Sequence, residues 1–333
     1  TKSFGFLNIS KKSFSDSLLV RQSLFNRDAR RNTLSEFKIP APQPGDTTLF
    51  ATDINTRGNV GNNDFQVHVN PRIETEQYYE NNLLNLRENI IVNRDDINPL
   101  LDVLFDGRYI LDGDIISPTP LISITLKDEN PFIKVVDTTA VQLFIKEECE
   151  GCNFQRIPFS SSEINWFAAT EQEDFKIEYR PEKFEDGIYQ LRIEAADQSG
   201  NSSGDEPYQI SFEVVNETSI TNFYPYPNPF STSTRFVFTL TGSEIPNELK
   251  IQIMTVSGKV VREITSSEFG PLHIGNNISD FSWNGRDEFG DQLANGVYLY
   301  KVTIKQNGQT LKQRKTSADK AFKNGFGKLY ILR

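Results

Sequence analysis

The feature that most limits this chain is a two-residue alternation of apolar side chains broken by glycine turns, clearest in its last third. Phe236, Phe238 and Leu240 alternate with Val237 and Thr239, and Leu249, Ile251 and Ile253 alternate with Lys250, Gln252 and Met254. Successive side chains of a strand point to opposite faces, so this spacing predicts strands with one buried face. Ser257-Gly258 supplies a tight turn into Val260-Val261. Asn295-Gly296 is a strong hairpin signal, Tyr298, Tyr300, Val302 and Ile304 share one face of the strand after it, and Asn307-Gly308 predicts a further turn. The expected product is a small antiparallel sandwich.

The chain has 333 residues, too many for one sandwich and suited to three domains of roughly 100 residues each. With 25 Phe and 37% hydrophobic residues there is enough apolar material for real cores. The net charge of −10 argues against a nucleic-acid binder, which needs a basic face to neutralise phosphates. No run approaches the ~20 apolar residues of a membrane-spanning helix. The chain starts at Thr1, carries a single Met, Met254, and has no signal peptide; it reads as the C-terminal portion of a longer protein with any export signal upstream.

Along the chain the expected organisation is all-β, three tandem immunoglobulin-like antiparallel sandwiches over residues 1–93, 97–216 and 225–333, with a linker at 217–224. In the first, strand-like runs occur at Phe4–Ile9, Ser17–Phe25 and Asn63–Asn70, separated by the proline-rich loop Ile39–Asp46. In the second, Leu100–Phe105 turns at Asp106-Gly107 into Arg108–Leu111 and turns again at Asp112-Gly113-Asp114. Further strands are expected at Leu121–Leu126, Ala140–Lys146, Phe175–Tyr179, Ile188–Ala195 and Tyr208–Val215. Short helices are expected around Gln77–Leu86 and Ser317–Phe322. The knot Tyr224-Pro225-Tyr226-Pro227-Asn228-Pro229-Phe230 has three prolines in five positions and reads as a stiff, extended linker. The preceding residues Glu217–Thr221 are polar and expected to be exposed, as a protease requires.

Candidate chemistry is sparse. Cys149 and Cys152 form a lone CxxC. It lacks the further ligands of a tetrahedral zinc site, and no thioredoxin-like βαβ context surrounds it, so a disulfide pinching a hairpin tip is expected. His68 and His273 fall in different predicted domains, which argues against a cysteine nucleophile paired with histidine. The acids Asp106, Asp112, Asp114 and Asp128, and Asp287, Glu288 and Asp291, could gather around calcium; aspartate also favours tight turns for backbone reasons alone, and no EF-hand spacing is present. No serine-hydrolase elbow, phosphate loop or dinucleotide fingerprint occurs. Trp283 is read as a core anchor.

Taken in order, Pro227-Asn228-Pro229-Phe230, Gly258, Trp283, Gly290, Gly296 and Tyr298 resemble the FlgD-like, immunoglobulin-type C-terminal sorting domain of proteins exported by the type IX secretion system of the Bacteroidota. The likeness covers about Asn222–Arg333. The segment around Glu76–Asn82 resembles the end of bacterial adhesion-related immunoglobulin-like modules. The whole tail is similar to that of long surface proteins, some of which carry a gingipain-type peptidase domain upstream. The resemblance implies export through the periplasm, passage across the outer-membrane translocon, recognition by a PorV-type barrel shuttle, and cutting and attachment to lipopolysaccharide by a sortase. It implies a cell-surface address and no catalysis in this chain. The alternative is a surface adhesin whose upstream sandwiches bind glycan or protein.

One departure from the family pattern is the basic insertion Lys312–Gly327 before the last strand, Leu329–Leu332. It carries Phe322 and Phe326 beside glycines. Phe322, Lys323, Phe326, Lys328, Tyr330 and Arg333 are the expected docking residues for the transport machinery, aromatic anchors within a polar contact. The other reading is a hairpin that folds over a sheet edge and blocks strand addition.

Overall fold

The computed structural model describes residues 1–76, 78–131, 133–311 and 326–333. They form two compact units, Thr1–Asp96 and Ile97–Arg333. The protein is all-β, built from sheets that are antiparallel except for one short parallel pairing.

The first unit contains β1 (Lys2–Leu7), β2 (Ser17–Asn26), β3 (Arg31–Pro40), β4 (Thr47–Thr52), β5 (Gly61–Val69) and β6 (Leu83–Val92). A four-stranded sheet, β3-β2-β5-β6, faces a two-stranded ribbon, β1-β4. Leu18, Val20, Leu24, Ile39, Phe65, Val67 and Val69 are buried between them, while Phe4, Phe6, Phe14, Phe37 and Phe50 pack there only half-buried. The helix expected over 77–86 is a single 3₁₀ turn, Glu80–Asn82, followed at once by β6. Pairing with β5 sets Leu84 opposite Val67 and Leu86 opposite Phe65, and that cross-strand packing overrides local helical preference. The corner before it is tied by Asn70 and Asn82, whose amides both donate to Glu76 Oε2, at 2.9 and 2.6 Å.

The second unit holds two cores. The first of them lies between β7 (Leu100–Phe105), β9 (Ile122–Lys127), β12 (Ile164–Phe167) and β13 (Phe175–Tyr179) on one side, and β8 (Asp114–Ile116), β10 (Val141–Glu147), β11 (Gln155–Ile157), β14 (Gly187–Ala195) and β15 (Tyr208–Val214) on the other. The sheet orders are β12-β13-β9-β7 and β11-β10-β14-β15-β8. Asp106 and Gly107 close a two-residue turn with φ of 49° and 76°, which returns the chain at Arg108. The strand expected at Arg108–Leu111 does not continue past that bridge. Asp114 Oδ2 accepts the Leu111 N–H and Asp112 Oδ1 accepts the Ser211 N–H, so the chain turns away and re-pairs as β8, parallel to β15. Cys149 and Cys152 are joined as a disulfide across the β10–β11 turn, with Cα atoms 5.3 Å apart.

The last core is enclosed by β16 (Ser219–Tyr226), β17 (Arg235–Thr241) and β20 (Gly275–Ile278) facing β18 (Glu248–Thr255), β19 (Val260–Thr265), β21 (Gly296–Gln306), β22 (Gln309–Thr310) and β23 (Gly327–Ile331). Phe236, Phe238 and Leu240 from β17, with Tyr300 and Ile304 from β21, are buried as their alternation requires. Asn307-Gly308 makes the β21–β22 turn, with φ of 50° and 81°.

Two expectations about this region are corrected. Residues 217–224 are not a free linker: Ser219, Ile220 and Thr221 are buried in β16, which pairs with β17 in register Ser219↔Thr241 to Tyr226↔Arg235. Pro225 fits there because β16 is the edge strand of its sheet, where a missing N–H costs no ladder bond. Asn295-Gly296 does not close a hairpin either, because the strand before it in sequence, β20, belongs to the opposite sheet.

Candidate functional site

The sorting-type motifs are scattered over a hundred residues of sequence, yet most of them meet at one end of the last sandwich, around the chain's final strand. β23 pairs along one side with β21, matching Gly296 to Ile331 and Tyr298 to Leu329. Along its other side lies the proline knot, whose Tyr226–Pro227 and Asn228–Pro229 bonds are cis. Pro229 has no N–H, so the knot cannot offer a regular ladder here. The Asn228 amide takes over: its Oδ1 accepts the Tyr330 N–H at 2.9 Å and its Nδ2 donates to the Lys328 carbonyl at 3.0 Å. Phe230 continues the pairing, donating its N–H to the Tyr330 carbonyl and accepting from the Leu332 N–H.

Below this clamp, Phe230 packs on Trp283 with ring centroids 5.5 Å apart, and both are buried. Trp283 exchanges backbone hydrogen bonds with Thr234 and donates its indole N–H to the Arg286 carbonyl at 2.8 Å. Its role as a core anchor follows from that burial and satisfied indole. The last residue locks the end. The Arg333 guanidinium donates to the carbonyls of Ser231, Leu293, Asn284 and Gly285, and the Asn295 amide brackets the Arg333 backbone at 3.0 and 3.1 Å. Gly285, at φ 71°, leaves room for that guanidinium; a Cβ there would stand 2.5 Å from Arg333 Nη2.

Of the expected docking residues, Lys328, Tyr330 and Arg333 therefore belong to this clamp. Phe326 is half-buried with the Lys301 ammonium 5.9 Å from its ring, and Phe322 and Lys323 lie outside the described residues. Among the motif residues, Pro227, Asn228, Pro229, Phe230, Trp283, Gly296 and Tyr298 gather at the terminal strand. Pro227 accepts from the Thr234 hydroxyl, and Tyr298 donates its hydroxyl to Ala294. Gly258 serves the β18–β19 turn, and Gly290, at φ 88°, closes the loop whose backbone holds Arg286. Leu293 was not singled out from the sequence, and Asn284, Gly285 and Asn295 were read as motif or turn residues and not as partners of Arg333. Around the clamp Tyr226, Phe289 and Leu332 are exposed, Phe289 at 92%. The arrangement can present a braced strand end with aromatic and cationic side chains.

The acidic turn residues are engaged locally. Asp106, Asp112 and Asp128 each accept a backbone N–H, Asp114 accepts from Leu111 and from the Asn276 amide, and Asp287 accepts from Phe289 and Asp291. Glu288 accepts the Glu263 N–H and pairs with Arg262, which together hold its carboxyl below the usual range. A cleft of about 900 Å³ opens between the two sandwiches of the second unit, lined by Arg108, Tyr109, Asp114, His273, Asn276 and Ile278 among others. Burial, reinforced by Arg108, pushes the His273 imidazole below its ordinary value. The same junction is tight elsewhere: Gly242 donates to the Val215 carbonyl, and a Cβ on Gly275 would stand 2.4 Å from the Ile115 carbonyl oxygen.

No family model matches this chain, and no curated protein does. Among solved structures it is similar to dimeric latent PorU from Porphyromonas gingivalis, at 15% identity and TM-score 0.27, covering 96% of this chain and 30% of that one. It is similar to titin domains A168–A170, at 8% identity and TM-score 0.26, covering 93% and 95% of the two chains. It is also similar to a tetra-tandem repeat from the extending region of a large adhesion protein, at 12% identity and TM-score 0.24, covering 93% and 68%. The fold rests on the strand pairing described above and not on these similarities. Among the described residues no helix is long and apolar enough to cross a membrane.

Proposed function

We propose that residues 225–333 are a type IX secretion sorting signal, read by the outer-membrane translocon and a PorV-type shuttle, and that the upstream sandwiches are stalk or cargo. The observation that carries this reading is the convergence of the motif residues on the terminal strand. A transporter that must recognise a folded address needs a fixed strand end, and the Asn228 clamp with the Arg333 cage supplies one. The exposed Tyr226, Phe289 and Leu332 offer apolar anchors beside Lys328 and Arg333, a composition suited to a protein interface. Phe322 and Lys323 join the proposal through their sequence. The reading implies a surface or secreted location, and we assign no catalysis to this chain.

Burial of Ser219–Thr221 counts against sortase cutting at that junction in the folded chain. The test is export of a fluorescent reporter fused to residues 97–333, one compact unit, in a Bacteroidota host with and without its type IX translocon. Appearance outside the cell only with the translocon is the expected result. A folded reporter retained in the periplasm of the intact host overturns the reading.

A further inference from the structure

Two edge strands meet where the sandwiches of the second unit join. β8 ends the sheet β11-β10-β14-β15-β8, and β20 ends the sheet β16-β17-β20. An edge strand carries an unpaired row of backbone N–H and C=O groups, which invites pairing with another chain unless something covers it. Here each edge is set against the other. Gly275 opens β20 at φ 99°, and a Cβ there would stand 2.4 Å from the Ile115 carbonyl oxygen of β8. The position needs glycine because a second backbone passes over it. Beside it the Asn276 amide donates to Asp114 Oδ1 at 2.8 Å, while its own Oδ1 accepts the Thr239 hydroxyl at 2.6 Å. Asp114 Oδ2 accepts the Leu111 N–H, so both partners of this cross-junction bond are fixed from behind.

The connection between the two sandwiches has no slack. β15 ends at Val214 and β16 begins at Ser219. Asn216 is tied to the upstream side: its N–H and its amide both donate to Asp186 Oδ1, at 2.6 and 2.8 Å, and the amide also reaches the Phe184 carbonyl. Glu217 is tied to the downstream side, its carbonyl accepting the Thr241 hydroxyl at 2.6 Å. Gly242 then crosses back, donating to the Val215 carbonyl at 2.9 Å, in a space where a Cβ would lie 2.8 Å from Thr218 Cα. Independent domains are ordinarily joined by exposed, flexible linkers. This pair is joined by backbone that is bonded on both sides, with Val215 and Ser219 buried.

We propose that the sandwich of residues 97–216 is the structural partner of the last sandwich: it caps the β20 edge, and the last sandwich has its full stability only while the upstream one is folded. The strand that covers β20 is β8 of the same chain and not a strand of another molecule. The inference goes beyond the export reading and does not rest on it. Under that reading the address comprises both sandwiches, and the upstream one is a stalk that the address requires.

The test is hydrogen–deuterium exchange of the full chain in graded urea, read by mass spectrometry on peptides from β14 and from β18 and β21. Leu143→Asp with Leu191→Asp places two carboxylates at fully buried positions of the upstream core. Loss of β14 protection without urea confirms that this sandwich is unfolded, with Ile193→Asp added should any protection remain. The two cross-junction hydrogen bonds are then lost, each worth roughly fivefold in an equilibrium constant. The unfolding constant of β18 and β21 at fixed urea should rise about tenfold or more, and their urea midpoint should fall. An unmoved midpoint overturns the proposal. Gly275→Ala wedges the two edges apart: it should lower the β18 and β21 midpoint by itself, and unfolding the upstream sandwich should then lower it no further. Gly258→Ala is the control, because Gly258 has φ 88° in a turn of the same sandwich but nothing within 4 Å of a Cβ. With it the response to upstream unfolding should stay complete. A complete response in Gly275→Ala would mean that the edge contact does not couple the sandwiches, and it also overturns the proposal. Where Gly275→Ala fails to fold, Asn276→Ala removes the tie to Asp114 and should diminish the response; an undiminished one has the same meaning.

Discussion

The first and last sandwiches use the same residue type in different ways. Both are rich in phenylalanine. In the last, Phe223, Phe230, Phe236, Phe238 and Phe269 are all buried, joined to Tyr300 and Trp283 by ring contacts such as Phe238–Phe269 at 5.8 Å. In the first, Phe4, Phe37 and Phe50 approach one another just as closely, at 5.7 and 5.9 Å, yet remain half-exposed. Composition does not make the difference; coverage does. A two-stranded ribbon cannot span a four-stranded sheet, and Leu84 on the core side of β6 stays 43% exposed. In the last sandwich β23 and the proline knot close the corner between the sheets.

The comparison can be broken most directly by truncation. Trp283→Ala should cost about 3–5 kcal/mol, the range for emptying a buried aromatic site. Phe50→Ala, at a half-exposed position, should cost about 1 kcal/mol in proportion to the apolar area it loses. Urea unfolding read by hydrogen–deuterium exchange within each sandwich separates the two, and equal costs would mean that the ribbon covers its sheet better than the exposures indicate.

Asn228→Ala sharpens the role of the clamp. Losing two hydrogen bonds to the terminal strand should cost about 1–3 kcal/mol. It should also speed hydrogen exchange at the Tyr330 amide while leaving β7–β15 protected. Unchanged exchange there would mean that β21 alone holds β23.

The smallest effect is that of pH. His68 in the first unit and His273 in the second both titrate below the ordinary 6.5, each chiefly through burial. Their unfolded forms take up protons first, so stability is full above that value and falls as pH drops through 6.5 toward the lower folded pKa. His68→Gln should flatten this dependence for the first unit and His273→Gln for the second, read from melting curves between pH 7.5 and 5. A dependence untouched by either substitution assigns it to carboxylates.

Much of the fold was legible because alternation is a local signal. The strands around Phe236, Leu249, Phe175, Ile188 and Tyr208 follow directly from their spacing, as do the Asp106-Gly107 and Asn307-Gly308 turns. β3 and β6 were not, since their exposed, mixed sequences become strands only through their neighbours. The proline knot misled for a related reason. Three prolines read as linker in isolation, and only an edge position beside β17 makes the first of them, Pro225, part of a strand.

The sequence by itself determined the all-β class, the Asp106-Gly107, Ser257-Gly258 and Asn307-Gly308 turns, and which faces of the regular strands enter a core, because each depends on residues a few positions apart. Only the tertiary structure decided that Asn228, Trp283, Asn295 and Arg333 meet around one strand, and that Asp114 and Asn276 meet across the junction of two sandwiches. Those arrangements depend on strand order and register, which are fixed by packing between distant segments and leave no mark in local spacing.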